Sequence, residues 1–354
     1  MTHKAETFYQ YLKEGHISFE GGHNVLTPQK VVDPMLDMID LSGSFLVMLN
    51  VEFAISLVYT YNVDPKKITF YSDNDNKSKF VERIGIKYIT SLDDTMIFDA
   101  VFINPPFTLC KEFRELGKKH SNRYIWMITK TDHMDQVDRF DDVVYYKHLG
   151  DKAFKEQILT CSFLIDKQKH LSDDITIEDS KGNRIIKNQI LIPPADNLSD
   201  WEYASKITSL GLKTYKAGGG YIGQSKAKKV SKNGIKCIWR CGRVGGQFEW
   251  DLIDKEHAEQ ARGLGEHKII VSKMTSIGNL GDVKYADPTF GVGDTCYRVA
   301  LGSKDECLEA IDYLNSPQVK RLLKGIKTMT SSSSNKIWSK IPHHTEKDKW
   351  FSIK

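Results

Sequence analysis

Asn104-Pro105-Pro106-Phe107 is the stretch of this chain best suited to chemistry, and it follows directly on the apolar run 98–103 (FDAVFI). Two consecutive prolines fix φ and remove two backbone donors, so the chain cannot go on as a paired strand after Ile103. Asn104, standing before a proline, is pushed toward extended backbone. A rigid turn results, which holds an amide side chain, a proline carbonyl and an aromatic ring together at the end of a buried strand. Such a group can accept hydrogen bonds from an exocyclic amine while the ring stacks on a flat heterocycle.

A turn of this kind needs a scaffold, and the first half of the chain alternates strand and helix patterns. Residues 27–41 (TPQKVVDPMLDMIDL) have helical spacing, with Thr27 as N-cap and Pro28 at the first helical position. The run 45–49 (FLVML) reads as a short buried strand, 52–61 as the helix after it, 67–72 (KITFYS) as the next strand and 76–84 as a short helix. Strand 98–103 delivers the turn. A helix over 108–119 and strands over 123–129, 143–147 and 158–166 follow, the last two forming an antiparallel edge. Strands interleaved with helices predict an α/β fold with a mostly parallel, doubly wound (Rossmann-like) sheet, whose ligands lie outside the carboxyl ends of the strands. Residues 168–198 are polar and read as a linker ending in Ile192-Pro193-Pro194-Ala195-Asp196-Asn197. Beyond it, short strands and glycine-rich turns take over, with one helical hairpin over 304–327. The chain therefore divides into 1–190 and 191–354, the second part a smaller α+β domain.

The segment from Phe98 to Lys118 resembles the adenine-N6-specific DNA methyltransferases, and among them the EcoRI-type enzymes, in which an FD-x-x-x-x-NPPF strand runs into a helix. The resemblance implies the fold of S-adenosylmethionine-dependent methyltransferases, S-adenosylmethionine as methyl donor, and Asn104, Pro105, Pro106 and Phe107 as the catalytic turn. An adenine amine is a poor nucleophile because its lone pair is delocalised into the ring. Acceptors at Asn104 Oδ1 and the Pro105 carbonyl would hold both amine hydrogens and favour a more tetrahedral nitrogen. The donor methyl could then be attacked in line, with positioning supplying much of the rate and no strong general base needed.

The same resemblance assigns further residues. In the family order a Thr-Pro helix precedes the cofactor strand, and Thr27-Pro28 fill that place. Asp73 or Asp75 suits the acidic residue that binds the cofactor ribose, and Asp93 or Asp94 falls where its adenine is contacted; Asn104 borders the same site. A solvated turn at 73–76 and a loop or helix cap at 93–94 remain the plain alternatives. Phe154 matches a second aromatic, stacking on a flipped base from the side opposite Phe107 and offsetting part of the few kcal/mol that flipping costs; a core role is its alternative. One departure lies after the cofactor strand. The family has glycines there, whereas this chain has Leu49-Asn50-Val51-Glu52-Phe53-Ala54-Ile55-Ser56, whose side chains crowd a close backbone approach. Either the loop binds cofactor with altered geometry, through Asn50 or Glu52, or the site is damaged.

With 354 residues, 40% hydrophobic and 27% charged, the composition is that of a globular protein. No apolar run approaches the roughly 20 residues that cross a bilayer, and the N-terminus lacks a signal-peptide pattern. Six cysteines form no dense framework, which points to a reducing cytoplasm, and Cys237 and Cys241 lack a second ligand pair for zinc. The net charge of +4 hides an asymmetry: residues 191–354 carry 26 Lys and Arg against 18 Asp and Glu, leaving 24 against 28 for residues 1–190. The densest basic stretch holds Lys226, Lys228, Lys229, Lys232, Lys236, Arg240 and Arg243, interleaved with aromatic residues. Within it, 228–236 (KKVSKNGIK) reads as a β-hairpin around Asn233-Gly234, a basic ribbon able to track phosphates or enter a major groove. Gln224, Arg240 and Arg243 are candidates to read base edges, and a solvated charged hairpin is the plain alternative.

The sequence thus reads as a cytoplasmic, monomeric, S-adenosylmethionine-dependent adenine-N6 DNA methyltransferase. Residues 1–190 would be catalytic and 191–354 would recognise double-stranded DNA, with no membrane contact and a cognate restriction endonuclease left open as partner. Two alternatives stand beside it: a DNA-binding protein on a methyltransferase scaffold with a degenerate cofactor loop, and an enzyme that methylates RNA or another amine.

Overall fold

Strand β1 (Phe45–Met48) is buried along its whole length, as a strand covered on both faces must be. It belongs to a computed structural model that describes residues 10, 27–72, 75–131, 142–150, 153, 159–169, 174–187, 190, 192, 194–219, 228–241, 248–255, 263–273, 278–326 and 335–354. The chain divides into two compact units, Met1–Ile190 and Leu191–Lys354.

In the first unit β1 pairs in parallel with β2 (Ile68–Tyr71) on one side and β4 (Phe98–Ile103) on the other. β3 (Lys87–Ile89) lies beyond β2, and β5 (Ser121–Lys130) beyond β4, both parallel. With β6 (Val143–Gly150), β7 (Thr160–Asp166), β8 (Ile175–Glu178) and β9 (Arg184–Lys187) the nine-stranded order is β3-β2-β1-β4-β5-β7-β6-β8-β9. This is the expected mixed α/β fold on a large, mostly parallel, doubly wound sheet. The strand order reverses between β1 and β4, the place where such sheets open a crevice at their carboxyl ends. Met48 and Ile103 are register partners, so the chain leaves both strands at the same level.

Helices α1 (Gln29–Leu36), α2 (Val51–Ile55), α3 (Asp75–Arg83) and α4 (Cys110–His120) accompany these strands. Phe53 of α2 stacks at 5.1 Å on Phe102 of β4, which seats α2 on the sheet. A π-helical turn, Ser56–Thr60, extends α2, and Tyr61 after it donates to Asp33 O (2.8 Å) and Asp37 Oδ1 (2.7 Å), tying α1 down. At the opposite end of the sheet Asp99 accepts from Ser44 N (2.7 Å), Ser44 Oγ (2.9 Å) and Asn122 Nδ2 (2.9 Å). The Ser44 backbone bond foremost, and the Asn122 bond with it, hold the Asp99 carboxyl below the usual carboxylate range. A Cβ on Gly43 would stand 2.5 Å from Asp99 Oδ2. Gly43-Ser44 is therefore a clamp that locks β1 against β4.

Three expectations are corrected here. Pro28, not Thr27, is the N-cap of α1, and no side chain caps that helix; the Thr27 hydroxyl is used elsewhere. Residues 168–198 are not a plain linker, because they contain the antiparallel pair β8–β9, with β8 paired in parallel to β6. The edge of the sheet is thus β9 rather than β6 and β7. Buried Glu178 anchors this extension by accepting from Tyr145 Oη (3.0 Å) and pairing with Lys147 (2.6 Å) and Arg184 (2.5 Å).

The second unit is α+β. Strands β10 (Gly218–Gly219), β13 (His267–Ser272), β14 (Lys284–Ala286) and β16 (Cys296–Leu301) form a sheet in the order β10-β16-β13-β14. Strands β11 (Ile235–Arg240), β12 (Glu249–Ile253) and β15 (Phe290–Val292) form another in the order β12-β11-β15. Helices α5 (Leu198–Thr208), α6 (Lys304–Leu314), α7 (Pro317–Ile326) and α8 (Asn335–Trp338) complete it. The 304–327 helical hairpin is present as α6 and α7. The region read as a linker also ends in the N-cap of α5, where Asn197 Oδ1 accepts from Asp200 N at 3.2 Å.

The basic hairpin does not form as expected. Lys229 bridges to Ile253, and Val230 N bonds Leu252 O, so 228–230 lies along β12. Ile235 also pairs with Ile253, from β11. The Asn-Gly turn, with Asn233 at φ 58°, therefore carries the chain across the end of β12 instead of folding it back on itself. The crossing is close: a Cβ on Gly234 would meet Ile253 O at 2.7 Å. No helix among the described residues is long and apolar enough to cross a membrane.

Candidate active site

The crevice is built from the residues that leave β1 and β4. Leu49 turns out of β1 at φ 67°, a left-handed conformation that costs a leucine roughly 1–2 kcal/mol. Both of its backbone groups are held: its N–H donates to Tyr71 O (2.9 Å) and its carbonyl accepts from Lys77 Nζ (2.7 Å). A bulky residue kept in this region marks a place where the surroundings over-determine the backbone. Asn50 comes next and caps α2, its Oδ1 accepting from Glu52 N at 3.2 Å.

Thr27 is the hub. Its Oγ1 accepts from Asn50 Nδ2 (2.8 Å) and from Asn104 Nδ2 (2.9 Å), and its N–H donates to Glu52 Oε1 (2.9 Å). A hydroxyl oxygen has two lone pairs, and here two amides use them. Thr27 is fully buried, Asn50 and Glu52 are 5% and 3% exposed, and Asn104 is half-buried. Burial pushes the Glu52 carboxyl up to about 7, against the pull of backbone N–H bonds and of the Lys77 charge.

The consequence for Asn104 is orientation. With its amide nitrogen tied back to Thr27, its Oδ1 is turned the other way, and no donor among the described residues reaches it. It stands beside the buried Pro105, while Pro106 is exposed. The chain then makes a 3-10 turn, Phe107–Leu109, before α4. Asn104 Oδ1 is thus an open acceptor near the carboxyl end of β4, able to take a hydrogen from a ligand N–H.

Thr27, Asn50, Glu52 and Asn104 are thus brought together, though they are up to 77 positions apart in the chain. Asp93 and Asp94 are not. Asp93 Oδ1 accepts from Thr95 N and Thr95 Oγ1, both at 2.9 Å, in a local turn. Asp94 pairs with Lys119 at 2.6 Å near the end of α4, just before β5 begins. That is the amino edge of the sheet, opposite the crevice, so these acids serve the return loop into β4. Asp73 and Phe154 lie outside the described residues, as do the side chains of Asp75 and Phe107. Lys77 was missed by sequence reasoning; the only signal was a lysine in the first turn of the helix after the second strand.

The basic residues of the second unit carry less unpaired charge than the sequence suggests. Lys228 faces Asp254 (3.9 Å), Lys229 pairs with Asp251 (2.6 Å), and Arg240 faces Glu249 (3.8 Å). Lys236 Nζ stands over the Trp250 and Phe290 rings. Lys232 is exposed, with no ion-pair partner among the described residues. Lys226, Arg243 and Gln224 lie outside the described residues.

One group of metal-ligating type occurs among the described residues: Glu306, His343 and His344. Tyr215 Oη accepts from His344 N (3.3 Å) and shares a hydrogen bond with His344 Nδ1 (3.0 Å). His343 Nδ1 accepts from Thr345 N. Glu306 is used as a helix cap, with Oε2 on Gly302 N (2.6 Å). Each of the three side chains thus makes a structural contact within the second unit.

No family model and no curated sequence matches the chain. Among solved structures, the type IIL restriction-modification enzyme MmeI in complex with DNA is similar over 93% of this chain and 64% of its own, at 6% identity and TM-score 0.48. The methyltransferase subunit of a type I restriction-modification system from Streptococcus thermophilus is similar over 51% of this chain and 53% of its own, at 14% identity and TM-score 0.39. A protein from Vibrio vulnificus YJ016 described as a modification subunit of a type I restriction enzyme gives 49% and 50%, with 12% identity and TM-score 0.38. The chain spans about half the length of these last two proteins. These likenesses concern the fold; the site must speak for the chemistry.

Proposed function

We propose that this chain is an S-adenosylmethionine-dependent methyltransferase that methylates the exocyclic N6 amine of an adenine flipped out of duplex DNA. The observation that supports the reading is the tethering of Asn104 Nδ2 to Thr27 at the switch point of the sheet, which leaves Asn104 Oδ1 without a donor among the described residues. An adenine amine donates two hydrogens, which Asn104 Oδ1 and the Pro105 carbonyl would accept. The Phe107 ring, and Phe154 from the opposite side, would stack on the base.

S-adenosylmethionine supplies the electrophilic methyl group when bound. The donor set suits its zwitterionic amino-acid end: the Lys77 ammonium stands at the Leu49 carbonyl, with Glu52 close by in the same crevice. Asp73 or Asp75 would hold the ribose hydroxyls. Asn104 positions the amine, Thr27 positions Asn104, and no group in the crevice needs to remove a proton before the methyl group moves. The second unit would bind the duplex, and a restriction endonuclease of matching specificity would be the natural companion.

A second reading is favoured by one observation. The polar atoms of Asn50 already bond Thr27 and Glu52, and Glu52 is buried against Thr27, so the loop after β1 is internally satisfied without a ligand. On that reading the fold binds DNA and transfers nothing. Calorimetry with S-adenosylmethionine separates the two: methyl transfer requires saturable binding, and its absence alongside intact DNA binding leaves the second reading. Nucleoside analysis of duplex DNA incubated with labelled cofactor then identifies the product, which the first reading names as N6-methyladenine.

A further inference from the structure

The second unit contains an aromatic cleft that methyl transfer does not use. Phe248, Trp250 of β12, Tyr285 of β14, Phe290 of β15 and Leu308 of α6 line a volume of about 480 Å³. Trp250 and Leu308 at its rim are each 44% exposed. Trp250 meets Phe290 edge-on at 6.0 Å, and Phe248 is tilted 6.3 Å from the same ring. The rings are thus splayed about Phe290 rather than stacked shut on one another.

Ammonium groups ring the cleft. Lys236 Nζ lies 5.4 Å from the Trp250 ring centre and 5.2 Å from that of Phe290, and Lys304 Nζ lies 5.9 Å from that of Tyr285. Lys284, 5.7 Å from the Phe248 ring, is committed to the Cys241 carbonyl (2.6 Å) and to Asp282 (3.1 Å). Lys236 and Lys304 have no ion-pair partner within 4 Å among the described residues; the charge of Lys236 is also felt at Asp287, but the rings are the nearer contacts of both lysines. A ligand that fits must be flat, rich in π electrons and anionic at its edge. An acidic peptide would satisfy the lysines and leave the rings wet; an apolar peptide would do the reverse.

We propose that this cleft binds an unstacked nucleobase of single-stranded DNA, the base lying against Trp250 and Phe290 and the flanking phosphates meeting Lys236 and Lys304. Stacking on an aromatic side chain contributes roughly 1–3 kcal/mol per base and tolerates any base, because each has a π face. The site stands independently of the methyl-transfer reading and needs no cofactor.

The test is fluorescence anisotropy of a labelled single-stranded oligodeoxynucleotide titrated with the full chain, without cofactor. Trp250→Ala should weaken binding by roughly 5- to 150-fold, the loss of about one stacked base. Lys304→Gln, an exposed change in the first turn of α6, should weaken it less and reduce its salt dependence. A strand lacking bases should bind the wild type as poorly as the intact strand binds Trp250→Ala. The proposal is overturned by equal affinity for intact and base-free strands, by a folded Trp250→Ala that binds like wild type, or by no binding at all. None of these outcomes bears on methyl transfer to duplex DNA, which is measured separately.

Discussion

At the scale of single residues, Thr27 orders the crevice by accepting two amide hydrogens on one oxygen. Thr27→Val keeps the shape and removes the one oxygen that accepts both amide hydrogens. Stranding a buried polar group costs roughly 1–3 kcal/mol, so the variant should lose about that much stability in urea unfolding. Its kcat should fall far more than its KM for DNA rises, because the amine is then held by a freely turning Asn104; Thr27→Ser should restore the rate. A Thr27→Val enzyme with wild-type kcat shows that the tether does not matter. Glu52 gives a second prediction. Burial raises its folded pKa from the ordinary 4.5 to about 7, so the folded state keeps a proton that the unfolded chain releases. The stabilisation is fully present below pH 4.5 and is lost as pH rises through 7. At ~1.4 kcal/mol per pKa unit the change is roughly 3 kcal/mol. Relative to Glu52→Gln, the wild type should therefore lose stability across that window; a constant difference between the two would contradict a buried, raised carboxyl.

At the scale of elements, the clamp between β1 and β4 sets where the crevice lies. Gly43→Ala would push a Cβ to 2.5 Å from Asp99 Oδ2. Breaking that clamp should cost about 1–3 kcal/mol, as overpacking does, and should be visible as a lowered unfolding midpoint; an unchanged midpoint argues that the clamp gives way freely. The sequence made β4 and its turn legible because two prolines override every other local preference. It made Thr27 visible too, but with the wrong chemistry: a threonine before a helix looks like a cap, and its real partners are 23 to 77 residues away. Strands β8 and β9 were hidden because they are short and set in polar flanks, and β9 is half exposed. The basic ribbon misled because the acids that pair with it, Glu249, Asp251 and Asp254, come from β12 and the residue after it. Charge on a strand is readable from sequence; charge on its neighbour is not.

At the scale of the whole molecule, the paired state of the basic residues predicts how DNA binding responds to salt. Lys232 has no described ion-pair partner, so Lys232→Gln should reduce the slope of log affinity against log salt by about 1. Lys229→Gln should change it less, since binding at that position must first displace Asp251 from 2.6 Å. Equal effects at both positions would show that the ion pair exerts no hold in solution. The proposed methyl transfer to duplex DNA would draw on both units. It is tested most directly by following transfer from labelled S-adenosylmethionine to duplex DNA for the wild type and Asn104→Ala, with DNA affinity measured on the same preparations. The account predicts transfer by the wild type, its loss by at least about 100-fold in Asn104→Ala, and DNA affinity unchanged between them. Transfer at a wild-type rate by Asn104→Ala, or no transfer by the wild type, contradicts it.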